Sequence, residues 1–324
     1  MNSRPLSVLW LIPGKKDSPL DMLFAKRGIS YLGNNGVQVT VRMFYETKSI
    51  FGILKEVSEL RRFVSSQNID LIHSQFGSTT SFVALLTGVP FVITFRGTDL
   101  NGDPASNSLI NFMRFGMGLI AAHFSKAVIF VSSGLRHKLG YSASRSVVIP
   151  SGTEVELFVP MNKLIARQKL GIDQNKFYIG FASGGRRTLK RFDLAEEVRN
   201  QLVARGYEVE ILEIWNIAHD KVPLYINASD VVILTSEREG SPNIIRESLA
   251  CGVPVVSFDV GDADDWIQLD KFSSLVPNRN TKLMSDRIEN IIKNPPARER
   301  RVDVNLFSEE NSSKKILEIY KRIH

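Results

Sequence analysis

The stretch Glu237–Val256, EREGSPNIIRESLACGVPVV, places one carboxylate, Glu239, in a turn and a second, Glu247, inside an adjoining helix. The apolar run DVVILTS just before it has the length and β-branched content of a buried strand. PVVSFDV after it has the same character. A buried strand, a helix and a second buried strand in sequence specify a parallel sheet with helices on its faces. The Gly240-Ser241-Pro242 turn therefore sits at the carboxyl end of a strand, where open α/β sheets hold ligands.

The local chemistry agrees with that placement. Ser241 suits a helix N-cap, Pro242 a first helical residue, and Gly252 a stop. The amides of Asn243, Ile244 and Ile245 then form an N-terminal turn without intrahelical acceptors, a site that favours phosphate. A carboxylate beside a phosphate site suits a neutral ligand rich in hydroxyls, because it can accept hydrogen bonds from adjacent ones. The spacing points to a sugar near Glu239, a diphosphate on the helix end and a ribose near Glu247. An ordinary polar loop with an exposed helix glutamate is the alternative that spacing alone leaves open.

The same alternation runs through the chain. LSVLWLIP, VQVTVRMF, DLIHSQF, PFVITFRG, AVIFVS and SVVIPSG read as strands, with helices between them, one of them DMLFAKRGISYLGNNG. Around Ile149–Pro160 the rhythm pauses, with two prolines and no period. It restarts with KFYIGFAS as a strand and LKRFDLAEEVRNQLVARG as a helix, and two helices, Thr281 to Lys293 and Ser308 to His324, close the chain. The expectation is two doubly wound α/β domains facing across a cleft: residues 1–155, residues 156–305, and a C-terminal helix over 306–324 packing back on the first.

Composition narrows the function. The 324 residues contain 43% hydrophobic residues, enough for real cores, and a single cysteine, Cys251, which excludes a disulfide framework. No apolar run approaches the ~20 residues that span a bilayer, and the N-terminus lacks a secretory pattern. A cytoplasmic protein is expected. The net charge of +7 is uneven: residues 1–150 hold 16 Lys/Arg against 8 Asp/Glu, and the remainder 25 against 26. A basic first half suits an anionic ligand or an anionic membrane surface. The basic half shows no interleaved aromatic or zinc module, which disfavours nucleic acid. PGKK after the first strand lacks G-x-G-x-x-G, which disfavours a dehydrogenase.

EGSPNIIRESLACGVPVVSFDVG resembles the E-x7-E signature of retaining glycosyltransferases of the GT-B fold, with Ser248 in place of the usual alanine. IDLIHSQFG, ITFRGTDL, VIPSGTEVELFVP, LKRFDLAEEV and the terminal FSEENSSKKILEIYKRI resemble other segments of that family. The wording is nearest to cell-envelope polysaccharide glycosyltransferases of the teichuronic acid type.

The resemblance implies a donor diphosphate gripped by Lys190 and Arg186, or its neighbour Arg187, after the first strand of the second domain. It places Glu247 on the ribose and Glu239 at the donor sugar, with Ser241, Pro242, Asn243 and Ile244 lining sugar and phosphate. Gly14 and the adjoining Lys15 and Lys16 would approach the diphosphate or acceptor from the first domain. Arg96 stands where many members have histidine. It cannot act as a base, because its pKa stays above ~12, but it can meet phosphate or a hydroxyl. Asp99 could orient it, and His73 is a replacement histidine that a buried structural role would equally explain. The implied reaction moves a sugar from a nucleotide-diphosphate sugar to a glycan or lipid-diphosphate-linked hydroxyl with retention, along a front-side path. The implied cofactor requirement is none, and no metal: GDADDW reads as a loop and helix cap rather than a metal motif. A nucleotide-sugar epimerase and a non-catalytic nucleotide-sugar-binding partner are the rival functions.

Overall fold

The computed structural model of the protein describes residues 4–14, 26–45, 50–102, 106–140, 146–185 and 188–324. The chain divides into two compact units, residues 1–152 with 309–324, and residues 153–308.

The first unit is built on a six-stranded parallel sheet. Its strands are β1 (Leu6–Gly14), β2 (Val37–Tyr45), β3 (Leu71–Ser74), β4 (Phe91–Phe95), β5 (Ala127–Phe130) and β6 (Ser146–Val148), in the order β2-β1-β3-β4-β5-β6. Strand alternation splits the core in two. Leu9, Leu11, Ile72, Ile93, Phe95 and Phe130 pack with α2 (Ile50–Ser66), α3 (Thr79–Thr87), α5 (Ser108–Phe124) and α6 (Ser133–Lys138). Val8, Trp10, Ile12, Val92 and Ile129 face the other way, toward α1 (Ile29–Asn34) and the C-terminal helix α13 (Glu309–Ile323). Helix α1 opens at Ile29 behind Gly28, which is left-handed at φ 86°. The earlier part of the helix expected from Asp21 falls partly outside the described residues, and Lys26 to Gly28 form a bend and turn.

The second unit carries five parallel strands, β7 (Phe177–Phe181), β8 (Val209–Glu213), β9 (Val231–Leu234), β10 (Val255–Phe258) and β11 (Ser274–Val276), in the order β11-β10-β9-β7-β8. Two apolar clusters cover its faces. Helices of this unit differ from the expectation. The helix expected to include Lys190 begins only at Phe192 (α8, Phe192–Ala204), because Thr188–Lys190 form a 3₁₀ turn and Arg191 is left-handed at φ 51°. Helix α7 (Lys163–Leu170), capped by Asn162 and closed by Gly171, occupies a stretch with no expected helix.

A buried polar chain ties α13 to the first sheet. The Trp10 indole donates to Tyr320 Oη at 2.9 Å, and Tyr320 Oη lies 2.5 Å from His73 Nδ1. His73 Nε2 lies 2.7 Å from Thr94 Oγ1. Replacing Tyr320 by Phe leaves two buried polar atoms without partners, at ~1–3 kcal/mol each. A Tyr320→Phe variant is expected to lose about 2 kcal/mol or more of stability, read as a lower urea midpoint with the fold retained.

Candidate functional site

The second unit gathers most of the sequence-derived residues at the carboxyl ends of β7 and β9. After β7 the chain turns through Gly184 and Gly185, with φ of 55° and 75°, a conformation that L side chains avoid. A Cβ on Gly185 would stand 2.8 Å from the Trp215 indole. The next residues include Arg186 and Arg187, which lie outside the described residues, as do Lys15 and Lys16. Lys190 follows on the 3₁₀ turn. Thr235, at the end of β9, donates its hydroxyl to the carbonyls of Lys190 and Arg191 at 2.9 Å each and so fixes that turn.

Lys190 and Glu239 come together. The Lys190 ammonium donates to Glu239 Oε1 at 2.7 Å, and the Ser236 hydroxyl donates to the same oxygen at 2.6 Å. Both side chains are about one-fifth exposed, at 24% and 18%. A cation and a carboxylate are thus held against each other at the surface of one unit.

Helix α10 (Asn243–Ala250) begins one residue later than expected. Pro242 occupies the N-cap with extended backbone, and Ser241 does not cap. The Ser241 hydroxyl is drawn elsewhere: it donates to Asp262 Oδ2 and accepts from Arg246 Nη1, both at 2.7 Å. Arg246 Nη2 also donates to Asn243 Oδ1 at 2.7 Å, and its guanidinium lies 5.1 Å from the Trp266 ring centroid. Arg246 is fully buried and Asp262 nearly so, with Nη1 and Oδ2 3.5 Å apart. Burial pushes the Asp262 carboxyl above its usual range, and the Arg246 charge and Ser241 hydroxyl pull it back. The Ile245 amide donates to Pro242 O at 3.3 Å, which leaves two open amides, Asn243 and Ile244, where three were expected; neither has an acceptor among the described residues. Glu247 is buried on the same helix. At the far end the Gly252 and Val253 amides donate to Leu249 and Ser248 carbonyls, and Gly252 is left-handed at φ 68°. Asp264 and Asp265, in the first turn of α11 (Ala263–Ile267), are exposed, whereas Asp262 is buried.

The first unit places its candidates at the carboxyl ends of β1, β3 and β4. Gly14 ends β1, and a Cβ there would meet Met43 Cε at 2.2 Å. His73 is not available to a substrate. It is fully buried, both ring nitrogens are engaged, and burial followed by the Arg96 charge lowers its pKa to about 3. Asp99 does not orient the Arg96 guanidinium through a hydrogen bond. Its carboxylate instead receives the backbone amides of Gly77, Arg96 and Gly97 at 2.7–3.1 Å, and burial outweighs those bonds in raising its pKa. Arg96 donates to the Gln75 carbonyl at 3.0 Å, to Ser151 Oγ at 2.8 Å and to the Gln75 amide oxygen. A cavity in this unit is lined by Arg27, Gln75, Arg96, Ser151, Glu309 and Ser312, among others. The buried Gln75 Nε2 has no partner there.

Sequence reasoning missed Arg246, although a cation in a helix surrounded by Ile244, Ile245 and Leu249 signals a buried, paired charge.

Two family models match. The first, glycosyltransferase family 4, covers residues 9–157, and the second, glycosyl transferases group 1, covers residues 166–304. The chain belongs to the group 1 and family 4 glycosyltransferases. It is similar to TuaC of Bacillus subtilis, assigned to teichuronic acid biosynthesis as a glycosyltransferase, with 26% identity over 59% of this chain and 54% of TuaC. The chain thus spans about half the length of that relative. It is also similar to the capsular polysaccharide biosynthesis glycosyltransferase CapM of Staphylococcus aureus, with 21% identity over 80% of this chain and 75% of CapM. The fold matches that of Anabaena Alr3699/HepE, solved in complex with UDP, with a TM-score of 0.73, 18% identity, and coverage of 98% of this chain and 100% of that one. The architecture is the two-domain α/β fold of GT-B glycosyltransferases. Among the described residues no helix is long and apolar enough to cross a membrane.

Removing Arg246 tests the tie beneath α10. Breaking a buried ion pair costs ~3–5 kcal/mol, so Arg246→Met is expected to lose about 3 kcal/mol at pH 8. Asp262 then loses the charge that lowers its pKa, so its folded value rises further above the unfolded one. The folded state therefore holds the extra proton, and stability falls as pH rises through that folded value. The deficit against the native chain is expected to shrink between pH 8 and pH 5.5 in paired urea titrations.

Proposed function

We propose that this glycosyltransferase moves a sugar from a nucleotide-diphosphate sugar to a hydroxyl of a cell-envelope glycan or its lipid-linked precursor, with the anomeric configuration retained. The Lys190–Glu239 pair, 2.7 Å apart, with Glu239 in the turn that leads into the open amides of Asn243 and Ile244, is the observation that carries this reading. A diphosphate brought to Lys190 and the α10 terminus places the attached sugar against a carboxylate that accepts hydroxyl hydrogen bonds. The names of TuaC and CapM support an envelope acceptor, and the UDP bound by HepE supports a nucleotide donor.

In this mechanism the bond between the anomeric carbon and the diphosphate oxygen breaks, and its electron pair leaves with the diphosphate. Lys190, Arg186 and the α10 amides stabilise the charge that develops there, an effect that grows in the transition state and so accelerates the reaction. Glu239 holds the sugar hydroxyls and faces the positive charge on the ring. Glu247 takes the ribose. The acceptor oxygen attacks on the leaving-group side, which retains configuration, and its proton passes to the departing phosphate oxygen. No protein nucleophile and no metal ion takes part in this scheme.

The donor is identified by thermal-shift titration with UDP-, GDP-, ADP- and dTDP-sugars, because a ligand held by the folded state alone raises its stability by ~2.7 kcal/mol at a hundredfold excess over Kd. Lys190→Ala removes a charge-assisted bond of ~1.5–3 kcal/mol and is expected to weaken the stabilising donor about tenfold or more. No shift with any nucleotide sugar, or equal affinity in the variant, would overturn the donor assignment. Proton NMR of the product reads the anomeric configuration, and an undiminished rate in EDTA is expected. Epimerised nucleotide sugar formed without acceptor would replace transfer by isomerisation.

A further inference from the structure

Helix α5 is packed in reverse. Its buried residues are the small ones, Gly118, Ala121 and Ala122. Its large apolar residues face solvent: Leu109 is 66% exposed, Phe112 73%, Met113 51%, Ile120 50% and Phe124 62%. A helix on a soluble domain ordinarily buries its large apolar side chains. Here they recur at 109, 112, 113, 120 and 124, a spacing that keeps them along one side of the helix. Phe51 and Leu54, at the start of α2 on the same side of the sheet, are 84% and 56% exposed.

The described residues of α5 and α6 carry charge of one sign. From residue 106 to residue 140 the chain has no Asp or Glu, and it has four basic residues, Arg114, Lys126, Arg136 and Lys138. Lys126 follows α5 directly and is exposed, and Lys138 is exposed at the end of α6, which packs on the same side of the sheet. The acids of α2 do not cancel this charge, since Glu56 and Glu59 lie 3.5 and 3.7 Å from Arg42.

We propose that the outward face of α5 seats on a bilayer containing anionic lipid, with its aromatic and aliphatic side chains in the headgroup–acyl boundary and Lys126 and Lys138 on the lipid phosphates. Apolar area and basic charge together are what an interfacial helix needs. The small inward residues already pack, so binding requires no unfolding. The N-terminal half of α5, with Leu109, Phe112 and Met113, follows the loop at the carboxyl end of β4, the end that carries Arg96. A lipid-linked acceptor would thereby arrive at the catalytic end of the first unit. The proposal extends the transferase reading, but vesicle binding needs neither donor nor acceptor, so each can fail without the other.

The test is cosedimentation with phosphatidylcholine vesicles and with vesicles containing about one-third phosphatidylglycerol, at low and at high salt. Binding to the anionic vesicles at low salt is expected, with a fall at high salt. Phe112→Glu/Phe124→Glu is expected to weaken binding at least ~tenfold. Lys126→Glu/Lys138→Glu is expected to remove most of the salt-dependent part, each basic residue contributing ~fivefold. Leu164→Glu, on an exposed apolar residue of the second unit, is expected to bind as the native chain does. Equal binding to neutral and anionic vesicles, or binding that survives both double substitutions, overturns the proposal. Absence of vesicle binding together with self-association that Phe112→Glu/Phe124→Glu abolishes assigns the face to a second copy and also overturns it.

Discussion

A guanidinium sealed inside the second unit governs the geometry of the candidate donor site. Helix α10 is buried from Ile244 to Ala250, so Arg246 has no water to neutralise it. A charge in that position is tolerable only with close polar partners. Those partners are Ser241, Asn243 and Asp262, which come from the turn before α10, its first residue and the loop after β10. The pairing therefore sets the path of the chain into the helix. It takes the Ser241 hydroxyl away from the capping role, and Pro242 has no amide to offer. The Asn243 and Ile244 amides are left as the open donors. The candidate donor-binding terminus is thus held from beneath by a charge that a ligand need not touch.

Parallel α/β architecture was legible because each buried strand is a short apolar run and each run is followed by a helical pattern or a turn. The placement of Lys190, Glu239 and α10 at strand ends follows from that rhythm. What escaped the reading has a common physical cause. Helix α7 buries Ala166 and Arg167, and Arg167 donates to Ala228 O, Gln174 O and Asp230. An arginine on the inner face breaks the apolar period that marks a helix, although Asn162 and Gly171 signalled its ends. Arg246 was hidden in the same way. Buried arginines pair with groups distant in sequence, and a periodicity argument has no means of locating such partners.

The boundary errors also trace to side chains claimed by tertiary neighbours. Serine before proline is a sound local cap, yet Ser241 binds Asp262, 21 residues away. Lys190 was assigned to a helix because LKRFDLAEEV has helical composition, but Arg191 adopts a left-handed backbone and its guanidinium binds Asp193. In the first unit, the neighbours of His73 include Tyr320, 247 residues away. Whether a histidine is a reactive group or a core residue depended on a helix at the opposite end of the chain.

Packing accounts for only half of α5. A Cβ on Gly118 would stand 2.0 Å from the Gly77 carbonyl, and the Gly77 amide is one of the three that hold Asp99. The cradle around Asp99 thus requires α5 to lie close to the β3–α3 loop, and at Gly118 no side chain fits. That requirement says nothing about the outer side. Polar residues at 109, 112, 113, 120 and 124 would leave every buried contact of α5 intact and would improve solubility. Since the fold does not demand five large apolar side chains in water, the proposed reason for them lies in what meets that face, and the basic residues Lys126 and Lys138 beside it favour an anionic surface over a neutral one.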